Sequence, residues 1–344
     1  MEIKRYEIWK NNDGYAKHRI PGLLVTSRGT LLMYHEARYE ANDWAKMNIL
    51  LTRSEDCGKT CSAPIVLASG SDEFPTTNNP VMVQDRNGRI HFIYAQCYGV
   101  GKGRMYRRYS DDDGMTWSDP IDITSFTVPE FRNVFAFGPG HGICTSRGML
   151  IFPVWMVPKH YEAPEMMHMP SVVTTFYSLD NGETWAVGDI LTSNEELQNP
   201  NETAVAELSD GRIYLNIRCM NAWRATAVSE NGYSDWKDYG PDKRLIDPVC
   251  FGSLTTYLAP EKTRMLLFAN CESKDKRKNV TVKASLDDGK TWQYRRVIDA
   301  ERGGYVEINA DPNNGNIYVL YEELFGETVH LAVFDADWLT ENTL

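Results

Sequence analysis

Ser178-Leu179-Asp180-Asn181-Gly182-Glu183-Thr184-Trp185 is the stretch that decides the fold, because it recurs. Ser-x-Asp-x-Gly-x-Thr-Trp returns in full at Ser110–Trp117 and Ser285–Trp292. A fourth copy, Ser54–Cys61, keeps Ser54, Asp56, Gly58 and Thr60 but ends in Cys61. A fifth, Ser229–Trp236, is degenerate: Asn231 replaces the Asp and Gly232 comes one place early. The starts are spaced 56, 68, 51 and 56 residues apart. A period of this length marks a propeller or solenoid, and about 57 residues suffice for four short strands with their turns. The 344 residues hold about six such units, of which five carry the motif; the sixth is expected to join the two chain ends.

The motif has a local logic. Its Asp can bond backbone N–H groups, its Gly accepts positive φ, and its Ser and Thr can cap the same loop. The Trp buries a large apolar face beneath the turn. Met105–Tyr109, Val172–Tyr177 and Val280–Ala284, just before three copies, read as strands, as do Arg89–Tyr94, Gly148–Pro153, Arg212–Ile217, Met265–Ala269 and Asn316–Tyr321. No long amphipathic helix is evident. The expectation is an all-β, six-bladed β-propeller occupying residues 1–344 as one domain. The motif is read as structural: Asp111, Asp112 and Asp113 are adjacent, but the spacing lacks the ligand ladder and distal Glu of a calcium loop.

Composition narrows the partners. The net charge of −11 argues against nucleic acid. It also disfavours an anionic substrate at long range, an objection that screening over about 8 Å weakens. Seven cysteines, an odd number without zinc spacing, fit a reducing compartment. Met1-Glu2-Ile3-Lys4-Arg5 has no apolar signal core, and no run of 18 apolar residues spans a membrane. A cytoplasmic location is expected, or a secreted or periplasmic one if a leader has been trimmed. Asn201 and Asn279 sit in glycosylation sequons that we read as unused.

Candidate site residues are scattered along the chain: Arg19, Arg218 and Arg277, with Asp43, Glu202 and Tyr305. Taken singly, each has a bland reading as a surface or packed side chain. Jointly they resemble a known family. His18-Arg19-Ile20-Pro21-Gly22-Leu23 resembles the Arg-Ile-Pro motif that opens sialidases, and the octapeptides resemble their Asp-boxes. That resemblance implies a six-bladed propeller whose Arg19, Arg218 and Arg277 bind a sugar carboxylate. His35-Glu36-Ala37-Arg38 resembles the segment whose arginine lines the sugar pocket, and Asp43 falls where the family places its acid/base residue. Asn201-Glu202 resembles the stretch that activates the nucleophile, Gly304-Tyr305 the nucleophile itself, and Leu320-Tyr321-Glu322 the segment whose glutamate holds the first arginine. Asn79, before Pro80, falls where the residue would touch ring substituents.

The chemistry agrees. Guanidinium groups bind carboxylates bidentately and stay charged at any working pH. A carboxylate nucleophile would be repelled by the substrate's own carboxylate. Neutral tyrosine avoids this but needs a base beside it. Asp43 has Asp56 as a nearby substitute, and Arg277 has Lys276 and Lys278. Trp44 and Met47 are equally readable as an apolar wall for an N-acetyl group or as blade packing. Met166-Met167-His168-Met169 reads as a loop that overhangs the pocket or, more simply, covers a blade edge. The resemblance implies a retaining exo-α-sialidase acting on sialylated oligosaccharides, glycoproteins or glycolipids, without cofactor or metal. Other readings of the same set are a non-hydrolytic sialic-acid-binding propeller, a trans-sialidase, an intramolecular trans-sialidase or a hydrolase of deaminated sialic acid.

Overall fold

A computed structural model describes residues 2–11, 13–97, 103–132, 134–157, 168–258 and 263–341. Its strands group into six antiparallel sheets. Blade 1 runs Lys17–Val25, Leu31–Arg38, Met47–Ser54, Ile65–Ser69, and blade 2 runs Thr76–Gln84, Ile90–Cys97, Arg104–Ser110, Ile121–Asp122. Blade 3 runs Val134–Phe137, Leu150–Val157, Val172–Ser178, Ala186–Val187, with Ile143–Cys144 paired beside its second strand. Blade 4 is Thr203–Glu207, Ile213–Ile217, Trp223–Ser229, Lys237–Ile246; blade 5 is Ser253–Leu258, Arg264–Cys271, Val280–Ser285, Tyr294–Asp299. In blade 6, Val306–Ala310, Asn316–Glu323 and Thr328–Asp335 are completed by the N-terminal strand Lys4–Lys10. Both chain ends therefore share the sixth blade, as expected. All eight strand segments anticipated above fall on observed strands. The single α-helix among the described residues, Ala336–Thr340, is five residues long.

First strands of neighbouring blades contact one another, including that of blade 1 with those of blades 2 and 6, and blade 3 meets the first strand of blade 4 through Leu150–Val157. Apolar cores lie between successive blades rather than within one: Leu24, Leu32 and Leu51 of blade 1 pack with Met82 and Phe92 of blade 2, for example. Each sheet is buried on both faces by its neighbours, which is why several strands read as unbroken apolar runs.

The repeated octapeptides occupy the turn after the third strand in blades 1 to 5. Ser178 Oγ accepts from Gly182 N at 2.8 Å, and Asp180 accepts from Thr184 N at 2.9 Å and Thr184 Oγ1 at 2.5 Å. Gly182 has φ +84°, and a Cβ there would lie 2.6 Å from His91 of blade 2. The same contact to the preceding blade recurs at Gly58 against Leu331 and Gly114 against Leu32. With Gly232 against Ile151, four of the five octapeptides thus clamp onto the blade before them in this way. Trp185 stacks on Phe176 at 5.1 Å. Cys61, in the Trp position of the first copy, is exposed.

Candidate active site

Antiparallel order fixes where the site can be. The start of each first strand, the end of each second strand and the loop joining strands two and three all lie at one end of a blade. The octapeptide turns lie at the other. A cavity of about 420 Å³ opens at the first end, and no octapeptide residue lines it. Arg19, Arg38, Asp43, Asn79, Glu202, Arg218, Arg277 and Tyr305 all line it. Glu322 lies beneath, fully buried.

Blades 6 and 1 build one side. Arg19 and Ile20 stand at an irregularity of the first strand of blade 1, where Ile20 has φ +57°. That is an outlying conformation for a β-branched residue. The Glu322 carboxylate holds it, accepting from Arg19 Nε at 2.8 Å, Ile20 N at 3.0 Å and Tyr305 N at 3.1 Å. Despite its burial, Arg19 titrates above its usual value because Glu322 stabilises its charge. Blades 1 and 2 repeat the device. Asn79 has φ +51°, its N–H donates to Glu36 Oε1 at 2.8 Å, and Glu36 Oε2 accepts from Arg38 Nε at 2.9 Å. Arg38 also donates to Asp43 Oδ1 at 2.5 Å. Burial pushes the Asp43 carboxyl up, but the Arg38 guanidinium, helped by Arg19 and His168, holds it below its ordinary value.

Blade 4 supplies the opposite side. Arg218 N donates to Glu202 O at 2.9 Å and Asn201 N to Arg218 O at 2.8 Å, extending the strand ladder so that the two side chains emerge together. Arg218 Nη1 donates to Glu202 Oε2 at 2.5 Å and to Tyr305 Oη at 3.0 Å. Tyr305 Oη donates to Glu202 Oε1 at 2.5 Å. Burial drives the Tyr305 phenol well above its ordinary value, Glu202 adds to the rise, and Arg218, Arg277 and Arg19 pull it back. Arg19 and Arg277 flank the Tyr305 ring, 5.0 and 5.5 Å from its centroid.

The neighbouring substitutes are set aside by position. Asp56 belongs to the first octapeptide turn, and Lys276 and Lys278 are exposed outside the cavity. Trp44 lines the cavity, whereas Met47 is fully buried in its strand and serves packing. Of the 166–169 stretch, His168 and Met169 also line the cavity; Met166 and Met167 lie outside the described residues. His168 stacks on Trp44 at 5.7 Å and meets Trp155 at 5.8 Å. Sequence reading missed Trp155, Asn199, Met220, Val249 and Phe325, which also line the cavity. Asn199 and Val249 are left-handed, with φ +48° and +60°. No cluster of three or more His, Cys, Asp or Glu among the described residues could hold a metal. No described helix is long and apolar enough to cross a membrane.

The family model described as a BNR repeat-like domain matches residues 62–319. A sialidase of Bacteroides fragilis is 28% identical across 94% of this chain and 63% of its own length. One from Micromonospora viridifaciens is 30% identical across 95% of this chain and 53% of its own. This chain therefore spans about half to two thirds of those relatives. Among solved structures, the Hadza microbial sialidase Hz136 superposes with a TM-score of 0.86 at 26% identity, over 98% of this chain and 69% of that one. The intramolecular trans-sialidase of Ruminococcus gnavus matches with a TM-score of 0.82 at 17% identity, over 97% of this chain and 98% of that one, a likeness of fold.

Proposed function

This chain belongs to the BNR repeat-like domain family, and from that premise we propose that it is an exo-α-sialidase, cleaving terminal sialic acid from glycoconjugates with retention of configuration. One observation carries the reading: the hydrogen bond between Tyr305 and Glu202 opens into a cavity that Arg19, Arg218 and Arg277 share.

The substrate carboxylate would sit on the three guanidiniums, which stay protonated at any working pH. That would bring the anomeric carbon over Tyr305 Oη. The phenol's raised pKa means that it cannot ionise beforehand; its proton passes to Glu202 as the oxygen attacks. Asp43 protonates the departing glycosidic oxygen, then takes a proton from the water that opens the glycosyl-tyrosine. Two displacements give retention, and sialidases are the tyrosine exception among two-carboxylate glycosidases. Arg38 favours the ionised form of Asp43, whereas the acid role requires the proton. A second anion arriving on neighbouring Arg19 raises the Asp43 pKa, so substrate binding itself favours proton uptake. Arg38 and Asn79 face the ring substituents, and Trp44, Trp155 and His168 offer an apolar wall to an N-acetyl group. All seven cysteines are free thiols, which supports a reducing compartment as the working location.

The test is fluorophore release from an α-linked N-acetylneuraminic acid glycoside, with the sugar followed by NMR. Release with an initial α-anomer is expected. An anhydro product would indicate an intramolecular trans-sialidase, and saturable binding without release a lectin.

A further inference from the structure

The turn joining the second and third strands of blade 6 is strained and exposed together. Leu324, Phe325 and Gly326 have φ +48°, +56° and +80°, one left-handed turn in which two members carry a side chain. Such a conformation costs free energy at every non-glycine position. Burial does not offset that cost, since Leu324 is 60% and Phe325 57% exposed. The turn is pressed onto blade 1: His18 N donates to Gly326 O at 2.8 Å, and a Cβ on Gly326 would lie 2.2 Å from His18 O. This seats the Phe325 side chain at the cavity rim.

There it meets Arg277. The guanidinium carbon is 5.3 Å from the Phe325 ring centroid and 5.5 Å from that of Tyr305. The other two arginines of the set end on carboxylates, Arg19 on Glu322 at 2.8 Å and Arg218 on Glu202 at 2.5 Å. No acidic side chain among the described residues forms an ion pair with Arg277. Two of the three charges are therefore paired with a carboxylate within the protein, whereas Arg277, among the described residues, lies against two rings and in no ion pair.

We propose that Phe325 is a positioning residue: it holds Arg277 by cation–π contact, aiming the guanidinium at the substrate carboxylate without neutralising it. The inference rests on the sialidase reading, in which that carboxylate binds the three arginines. An aromatic face attracts a cation through its quadrupole yet carries no net charge. Arg277 so held keeps its charge for the incoming anion, where a carboxylate partner would have to be shared or displaced. The strain in the turn then has a use, because it points an exposed ring at a cation that forms no ion pair among the described residues.

The experiment is a double-mutant cycle on the full chain. Phe325→Leu, Phe325→Trp, Arg277→Ala and the Phe325→Leu/Arg277→Ala pair are compared for kcat and KM on the fluorogenic glycoside, and for binding of free N-acetylneuraminic acid. Phe325→Leu should raise KM and the sugar's Kd by about fivefold, equivalent to about 1 kcal/mol, with kcat within about twofold. Phe325→Trp should restore both, since indole is the better cation–π partner. In the Arg277→Ala background, Phe325→Leu should have no further effect. An equal loss with and without Arg277 overturns the inference, because Phe325 would then touch substrate or stabilise the turn for its own sake. So does an unchanged KM in Phe325→Leu. A wild-type chain that neither cleaves nor binds the sugar would instead overturn the functional reading, and this inference with it.

Discussion

Glu322 holds three groups from two other segments with one carboxylate: Arg19 Nε and the strained N–H of Ile20 in blade 1, and the N–H of Tyr305. Removing it leaves a buried guanidinium without its counter-charge. Glu322→Ala should therefore cost about 3–5 kcal/mol of stability, seen as a lowered unfolding midpoint, and should weaken substrate binding as well; a midpoint at the wild-type value would show that Arg19 finds another partner. Tyr305→Phe asks a different question. It removes the attacking oxygen and leaves all three arginines, so turnover should fall at least about a hundredfold while the sugar's Kd changes little. Wild-type turnover in that variant would mean that another group attacks. These residues were legible in the sequence as chemical types in a particular chain order. The left-handed backbone at Ile20, Asn199 and Val249 was not, because no side chain here requires φ > 0, and β-branched Ile and Val disfavour it.

At the scale of the element, the octapeptide turn is where sequence and structure coincide most closely. Ser, Asp, Gly and Thr each make the contact that their chemistry suggests. The lone sequence also hides something here: in four of the five copies the residue before the Gly is left-handed too, namely Cys57, Asp113, Asn181 and Asp288. Three of these four are Asn or Asp, which tolerate that region. The role of the Gly as a blade-to-blade clamp was invisible, since the contacted residue is remote in the chain, as His91 is from Gly182 and Leu331 from Gly58. Gly182→Ala meets both obstacles, a φ of +84° and a Cβ 2.6 Å from His91. It should cost at least about 1 kcal/mol in a denaturant titration and leave KM unchanged, because the turn lies at the end of the blade away from the cavity. A neutral effect would show that the turn relaxes independently of blade 2.

The molecule as a whole is a ring that must be closed, and the N-terminal strand Lys4–Lys10 closes it in blade 6. Beside this closure the Trp9 and His35 rings meet at a tilt with centroids 3.9 Å apart, and His18 Nδ1 lies 2.9 Å from His35 Nε2. Burial holds His18 below its ordinary value and His35 well below it. Both stay neutral in the folded chain while the unfolded chain takes up protons near pH 6.5. Stability should therefore fall as pH drops below about 6.5. His35→Gln should flatten the dependence of the unfolding midpoint between pH 7 and 5; an undiminished slope would place the responsible protons elsewhere. The period of the octapeptide determined the blade number and the strand class, because a turn recurring at fixed spacing depends on local hydrogen bonds that any chain segment can make. The order of Arg, Asp, Glu and Tyr residues determined which chemistry to look for. Only the tertiary structure decided that these residues share one cavity, that Arg277 is held by rings while its two counterparts meet carboxylates, and that Trp155, His168 and Phe325 border the same space. Those facts depend on contacts between blades far apart in the chain, and no local pattern encodes a distance around a ring.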